Sequence, residues 1–401
     1  YGMYSNGSKY AQYHKPVREQ EAFVGHAVRC MYLASGAVDV AKLTNDNALF
    51  DTCKKLYENM EGRRMYITGG VGSTPNGEMF TYDYDLPNDL VYGETCASIG
   101  LMFFMQRMLL VEQDSRYADT MERALFNTCI AGMSLDGKNF FYVNPLEVDP
   151  EASRENPNRK HVLPVRPAWF GCACCPPNLA RMITSLAEYL YVVNGENVFV
   201  NLYMENQAKL EFDVTTDYPY DGEITISIKQ EAEFTFHLRI PKWCGNEYRI
   251  FINEAQVITD SVNGYAVLER DWKASDKITL ALDMEPKRMY ANPKVSKDVG
   301  KVAIQRGPLV YCLEEVDNGA GLQQVYLPVD SKLKVVDRPD KLEGIKEIYT
   351  EGFKLVNKGA ENLYTAKPDY KFKKIPLIFI PYYAWANRGE NEMTVWVHEK
   401  N

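Results

Sequence analysis

The chain has 401 residues, of which 46% are apolar and 25% charged, as is typical of soluble globular proteins with more than one domain. Its formal net charge of −9 argues against a nucleic-acid backbone as partner. No apolar run approaches the roughly 20 residues that a bilayer-spanning helix needs, so a membrane span is not expected.

Helices joined by long loops are expected from residue 1 to about residue 196. Further helices are expected near residues 45–61 and 96–112. The loops over 66–92 and 134–176 are longer than simple connections in a compact domain, which favours functional loops. Three further stretches have apolar residues at helical spacing: Phe23-His26-Ala27-Cys30-Ala34, Met121-Ala124-Leu125-Thr128-Cys129 and Leu179-Met182-Ile183-Leu186-Ala187-Leu190.

From about residue 197 the apolar pattern changes to a period of two, which predicts half-buried strands. Examples are Ile224-Ile226-Ile228, Phe234-Phe236-Leu238-Ile240 and Ile278-Leu280-Leu282. Helices followed by strands indicate separate domains rather than a mixed sheet. We therefore expect a helical domain over 1–196, a β-sandwich over 197–290 and a second β-sandwich over 291–401.

The densest chemical signal is a cysteine-rich segment, Gly171-Cys172-Ala173-Cys174-Cys175-Pro176-Pro177-Asn178. Two consecutive prolines exclude a helix interior for the adjacent cysteine pair. The pair is therefore expected in a rigid, non-helical turn where both sulfurs point at one object. This arrangement predicts metal ligation, a reactive nucleophile, or both.

A second candidate group is Glu94 and Cys96. Side chains two positions apart share a ligand only in an extended or turn segment, which Gly93 permits. With Cys174 and Cys175 they supply one carboxylate and three thiolates, which are donors that zinc takes in tetrahedral sites. The spacing matches no common zinc finger or ribbon. A vicinal disulfide between the paired cysteines and a plain helix-start role for the glutamate therefore stay open.

Six short motifs occur along nearly the whole chain: Gly69–Ser73, Gly77-Glu78, Tyr92–Ala97, Tyr142–Leu146, Gly171–Asn178 and Arg306–Tyr311. In order, they resemble those of glycoside hydrolase family 127, the bacterial β-L-arabinofuranosidases, and of the related family 146. The resemblance implies an (α/α)6 barrel followed by two β-sandwich domains. Only about five helices precede the strands, so the chain is expected to correspond to the C-terminal part of such a protein, without the upstream half of the barrel.

The resemblance also implies an activity and residue roles. The family releases a terminal β-L-arabinofuranose or a related furanose, here expected from plant-type glycans, with retention of configuration. Glu94, Cys96, Cys174 and Cys175 would bind Zn²⁺, with Cys174 also the nucleophile and Glu78 the general acid/base.

Three residues are expected to contact substrate. His26 lies on an apolar helix stripe that would line the barrel cavity, although a structural histidine fits that stripe equally well. Tyr142 resembles a tyrosine near the nucleophile, with a buried structural tyrosine as the alternative. Glu122 lies one residue away from the Met121 stripe, where a solvated or supporting glutamate is the alternative.

A second class of function stays open at this stage. Structural zinc sites usually have four protein ligands and no open position. A non-catalytic carbohydrate-binding or scaffold protein with a structural zinc therefore also fits the ligand count. In either case the expected partner is an oligosaccharide or glycan. The sequence leaves the compartment and the oligomeric state undetermined, and a homodimer is one option.

Overall fold

A computed structural model describes residues 7–207, 211–359 and 362–400. Helices dominate as far as Thr184, and strands dominate from Tyr191 onward. This order confirms the predicted fold class of a helical part followed by β-rich domains. Within the described residues, no helix combines the length and the apolar character that crossing a bilayer would require.

The helices of the described residues differ widely in length. Helix α4 is buried along most of its length and packs against α2, α5 and α7, so it forms the centre of the helical part. The α-helices are α1 (Gly7–Tyr10), α2 (Ala27–Thr44), α3 (Asn47–Arg63), α4 (Thr95–Leu109), α5 (Ser115–Ala124), α6 (Pro150–Glu155), α7 (Cys175–Thr184) and α8 (Glu315–Asn318).

All three predicted helical stripes are divided between elements. The stripe that begins at Phe23 enters α2 only at Ala27, because Phe23 and His26 precede the helix. The stripe that begins at Met121 leaves α5 after Ala124 and continues in a π-helical turn over Leu125–Cys129. The expectation of one helix carrying Leu179 to Leu190 is wrong. Helix α7 ends at Thr184, and a 3₁₀ turn over Leu186–Tyr189 follows.

Short strands occur inside the long loops of the helical part. Strand β1 (Gly25–His26) pairs antiparallel with β2 (Met79–Phe80), and β3 (Glu147–Val148) lies in the second long loop. The pairing of β1 with β2 joins the first long loop to the start of α2. These pairings, with that of β3 in the C-terminal sheet, give both loops defined backbone positions at these strands.

Two antiparallel-rich sheets follow the helical part. One has the strand order β12-β13-β9-β5-β4 and the other β11-β10-β14-β8-β7-β6. Their alternating apolar residues form the buried faces, as the period of two predicts. The strands are β4 (Tyr191–Asn194), β5 (Asn197–Val200), β6 (Asn206–Gln207), β7 (Phe212–Thr216), β8 (Glu223–Ile228), β9 (Ala232–Arg239), β10 (Tyr248–Ile252), β11 (Ala255–Val257), β12 (Ser261–Val262), β13 (Tyr265–Trp272) and β14 (Lys277–Leu282).

Strands β15 to β23 form one ten-stranded sheet together with β3. The strand order is β15-β16-β23-β18-β20-β21-β17-β22-β3, and β19 pairs with β20. Strand β16 also pairs with β17, so the sheet closes on itself. The participation of β3 ties the second long loop to the C-terminal strands. The bounds are β15 (Lys287–Met289), β16 (Lys301–Arg306), β17 (Leu309–Glu314), β18 (Val325–Pro328), β19 (Lys334–Arg338), β20 (Ile345–Asn357), β21 (Tyr370–Pro381), β22 (Met393–Thr394) and β23 (Val397–Lys400).

Candidate metal and catalytic site

The first component of the site is a histidine beside a glutamate at the start of α2. His26 ends β1 and is the N-cap residue of α2, while Glu78 immediately precedes β2. Nε2 of His26 lies 2.8 Å from Oε2 of Glu78. The second carboxylate oxygen, Oε1, accepts a hydrogen bond of 2.9 Å from the hydroxyl of Tyr92. Both oxygens of this carboxylate are therefore held.

The second component is the turn that leads into α4. Glu94 is the extended N-cap residue of this helix, and Cys96 lies in its first turn, so the two side chains approach the same point. Gly93 has a φ of +49°, and a Cβ there would lie 3.0 Å from the carbonyl oxygen of Asn144. Only glycine fits this backbone without strain. The expected extended segment thus extends only to Glu94, and Cys96 lies in the helix.

The third component is the cysteine pair at the start of α7. Cys174 is the N-cap residue with a helical backbone, and Cys175 is the first residue of the helix. The expectation of a wholly non-helical turn is therefore wrong. Pro176 and Pro177 occupy the first turn, where the missing amide hydrogens break no intrahelical hydrogen bond. All nine cysteines have free thiols, and the paired sulfurs are 3.9 Å apart, so the vicinal disulfide is excluded in this structure.

The three components bring four candidate ligands together. One ligand atom each from Glu94, Cys96, Cys174 and Cys175 lies within 4.8 Å of all the others. Sγ of Cys174 lies 3.7 Å from Oε1 of Glu94 and 3.9 Å from Sγ of Cys175. Standard zinc bond lengths give about 3.5 Å and about 3.8 Å for these edges of a tetrahedron. The cluster can therefore hold a metal ion of this kind.

A further observation supports a cation at this cluster. Oε2 of Glu94 is buried and has no hydrogen-bond partner among the described residues. Burial raises the pKa of Glu94 to about 9, and the charges of Glu78 and Cys174 act in the same direction. A carboxylate with one oxygen unpaired, beside several thiols, is costly to ionise in a buried site. A divalent cation would remove that cost.

The thiols of Cys96, Cys174 and Cys175 differ in their burial and in the direction of their pKa shifts. Hydrogen bonds from Cys175 and Cys96 lower the pKa of Cys174, and a contact with Tyr142 acts in the same direction. Hydrogen bonding to Cys174 raises the pKa of each of the other two cysteines. Among the three, only Cys174 is partly exposed, so burial opposes its ionisation least.

These groups face one open cavity of about 550 Å³. Cys174 is partly exposed there, with its sulfur 3.4 Å from the hydroxyl of Tyr142, whereas Cys175 is buried beneath it. Of the two paired sulfurs, that of Cys174 is therefore accessible from the cavity and that of Cys175 is not. Its lining residues are His26, Val28, Arg29, Tyr32, Glu78, Glu94, Cys96, Tyr142, Cys174, Pro177, Asn178 and Arg181.

The structure does not place Glu122 at this cavity, and the expectation that it contacts substrate is corrected. Its side chain is 1% exposed and lies against the first β-rich domain, which contains β9. The carboxylate pairs with the guanidinium of Arg239 and accepts hydrogen bonds from Tyr218 and from Trp243, the last at 3.0 Å. Both carboxylate oxygens of Glu122 therefore accept hydrogen bonds from residues of that β-rich domain.

Two parts of the site were not singled out from the sequence. Tyr92 was considered only as part of a motif, although its position two residues before Glu94 placed it beside the site. Arg181 lies one helical turn beyond Asn178 on α7, and its guanidinium donates to the Asn178 side-chain oxygen at 2.7 Å and to the hydroxyl of Tyr32 at 2.6 Å. No local pattern distinguished this arginine from an ordinary exposed one.

Comparison with known proteins assigns the chain to a family. Residues 3–188 match the GH127 catalytic domain of beta-L-arabinofuranosidases, 197–284 match the GH127 middle domain, and 286–398 match the glycoside hydrolase family 127 C-terminal domain. A solved glycoside hydrolase, 32% identical, superposes with a TM-score of 0.91 over 100% of this chain and 70% of its own. The chain belongs to glycoside hydrolase family 127.

Three named beta-arabinofuranosidases are also similar to this chain in sequence, and two of them in structure. A non-reducing end beta-L-arabinofuranosidase from Bifidobacterium longum subsp. longum is 40% identical over 96% of this chain and 61% of its own length. A GH127 beta-L-arabinofuranosidase from Geobacillus stearothermophilus T6 is 47% identical, with a TM-score of 0.95 over 99% of this chain and 64% of that one. The GH127 beta-arabinofuranosidase BT3674 is 39% identical, with a TM-score of 0.91 over 100% and 64%.

The chain thus spans 61% to 64% of the length of these three relatives. Family 127 membership identifies its helical part as part of the GH127 catalytic domain, followed by the middle and C-terminal domains. The resemblance inferred from the short motifs is therefore confirmed.

Proposed function

We propose that this protein is a zinc-dependent retaining exo-glycosidase that releases a terminal β-L-arabinofuranose or a related furanose from plant-type glycans. The observation that carries the proposal is the placement of Cys174 and Glu78 on one cavity beside a cluster suited to a metal ion. The names of the relatives, beta-L-arabinofuranosidases, support the choice of sugar.

Cys174 is proposed as the nucleophile because it is the accessible sulfur of the cluster. Its sulfur attacks the anomeric carbon, a C–S bond forms, and the glycosidic C–O bond breaks. The hydroxyl of Tyr142, 3.4 Å away, is placed to hydrogen-bond the reacting sulfur or a sugar hydroxyl. Cys175 is buried at the same cluster, so its role is limited to metal ligation.

Glu78 is proposed as the general acid/base. In the first half-reaction the leaving oxygen takes a proton from Glu78, and in the second Glu78 takes one from the water that displaces the sulfur. The hydrogen bond to His26 holds the pKa of Glu78 below its usual range. Nε2 of His26, 2.8 Å from Oε2 of Glu78, is placed to exchange a proton with this carboxylate between catalytic cycles.

The residues of the cluster fit Zn²⁺ as the cofactor. Three sulfurs and one carboxylate oxygen are a donor set that this ion accepts, and Oε2 of Glu94 has no other partner in the part of the chain that the structure describes. Bound zinc would keep the thiols of Cys96, Cys174 and Cys175 ionised at neutral pH. His26 and Tyr142 are proposed to contact the sugar, since both line the cavity.

The test is hydrolysis of aryl β-L-arabinofuranosides by the protein and its Glu78→Gln variant, with zinc analysis of both. The variant is expected to retain zinc and to lose roughly 10²- to 10⁴-fold in turnover, the range typical of a general acid/base. Turnover at the wild-type rate would exclude the acid/base role. No turnover by the wild-type protein across a broad furanoside panel, with zinc present, would instead favour a scaffold with a structural zinc.

A further inference from the structure

Tyr92 contacts the proposed acid/base directly. Its hydroxyl donates a 2.9 Å hydrogen bond to Oε1 of Glu78, and the opposite carboxylate oxygen faces His26. Removal of this hydroxyl would leave the carboxylate held at only one oxygen. The carboxyl plane would then be free to rotate about its terminal bond, because that torsion has broad and shallow minima.

The ring of Tyr92 is itself held on two sides. It meets the ring of Tyr142 edge to face, with centroids 5.9 Å apart, and stacks on His161 at 6.1 Å. Its backbone amide donates to the carbonyl of Gly72. A hydroxyl on a ring fixed in this way is a rigid donor.

The same short segment supplies a metal-site ligand. Tyr92 precedes Glu94 by two residues, and any other residue at the glycine between them would be strained, because its φ is +49° and a Cβ there would lie 3.0 Å from the carbonyl oxygen of Asn144. Tyr92 therefore links the carboxylate of Glu78 to the cluster that includes Cys174. A displacement of this segment would move the acid/base and the nucleophile relative to each other.

We propose that Tyr92 is a positioning residue that orients the carboxyl group of Glu78 toward the leaving-group oxygen, an inference that rests on the proposed function. Protonation of the leaving group needs the acid within hydrogen-bond reach of that oxygen. A leaving group that departs readily without a proton is insensitive to this orientation. The loss of kcat/KM in the Tyr92→Phe variant is therefore expected to be larger for a poor leaving group than for an acidic one.

The test compares kcat/KM for a series of β-L-arabinofuranosides, from a 2,4-dinitrophenyl to a methyl leaving group. This ratio reports the first half-reaction, in which the acid acts. Tyr92→Phe is expected to lose roughly tenfold to a hundredfold on the methyl glycoside and about twofold or less on the dinitrophenyl glycoside. Glu78→Gln is expected to show a steeper dependence with the same sign. Zinc content is measured for every variant and is expected to stay at the wild-type level.

Tyr66→Phe is the matched control. Its hydroxyl donates a 3.0 Å hydrogen bond to the carbonyl of Pro87, in the same long loop and away from Glu78. Any loss in this variant is expected to be equal for all leaving groups. A uniform loss, or none, in Tyr92→Phe beside a steep dependence in Glu78→Gln would overturn the role of Tyr92 alone. A uniform loss in Glu78→Gln would overturn the acid/base assignment itself, and the role of Tyr92 with it.

Discussion

Nε2 of His26 and Oε2 of Glu78 lie 2.8 Å apart because the backbone brings the two residues side by side. His26 pairs with Met79 in the β1–β2 register, and the amide of Ala27 donates to the carbonyl of Glu78 at 2.9 Å. Glu78 has a φ of +55°, in the left-handed region that residues other than glycine rarely adopt. The start of α2 therefore fixes the proposed acid/base in place.

Loss of one cluster sulfur is expected to abolish zinc binding. Cys96→Ser removes a thiolate from the four-ligand group, and a neutral hydroxyl is a much weaker ligand for zinc. Metal analysis after dialysis is expected to find about one zinc per chain in the wild type and little in the variant. Cys172→Ser is the control, because Cys172 is exposed and lies outside the cluster. Equal zinc contents in Cys96→Ser and the wild type would exclude the cluster as the binding site.

Two reagents are expected to label different cysteines. An electrophile shaped like L-arabinofuranose is expected to modify Cys174, because that sulfur faces the cavity beside the proposed sugar contacts. In the zinc-loaded protein iodoacetamide is expected to modify Cys172 first, since it is the exposed thiol of the segment and lies outside the metal cluster. Peptide mass spectrometry distinguishes the two. Modification of Cys175 by the sugar reagent, with Cys174 spared, would reverse the assignment of the nucleophile.

The ion pair that contains Glu122 is expected to contribute to stability rather than to activity. Arg239 is fully buried and pairs with both Glu122 and Asp119. Arg239→Met leaves these carboxylates buried without a cation, which costs about 3–5 kcal/mol. Urea unfolding followed by tryptophan fluorescence measures the change, because the indole of Trp243 donates to Glu122.

An exposed pair provides the comparison for that experiment. Lys374 and Glu351 lie 2.8 Å apart, and both side chains are 62% exposed. Lys374→Met is expected to change the free energy of unfolding by about 1 kcal/mol or less, because solvent screens the pair. Equal effects of the two methionine substitutions would contradict the structural role assigned to Arg239.

A buried carboxyl between domains predicts a pH dependence of stability. Burial raises the pKa of Asp298 to about 6, although Oδ1 accepts a 2.7 Å hydrogen bond from Asn88. The folded state therefore binds the proton more tightly than the unfolded state. This contribution is fully present below about pH 4 and is lost as the pH rises through 6.

Asp298→Asn removes the titrating group and retains an oxygen for Asn88. The free energy of unfolding of the wild type, relative to this variant, is expected to fall between pH 4 and pH 7 by at most about 3 kcal/mol. Thermal unfolding across that range measures the difference. A constant difference across the range would show that Asp298 does not titrate as its burial implies.

The chemistry of the site was largely readable from residue types. The cysteine pair before two prolines, and Glu94 near Cys96, indicate the four candidate ligands by residue type alone. The position of Glu122 beside the apolar stripe indicates only which face of its own helix it occupies. It does not indicate which residues of another domain contact that face. The side chain's partner, Arg239, lies on a strand of another domain.

The sequence by itself determined the order of helices and strands, the family and the donor atoms, because periodicity and motif residues are local properties of the chain. Only the tertiary structure decided which donors meet. The packing of α4 against α7 brings Cys96 to Cys174 and Cys175, and the pairing of β1 with β2 brings Glu78 to His26. Such contacts join segments distant in the chain, and their geometry follows from the packing of whole elements.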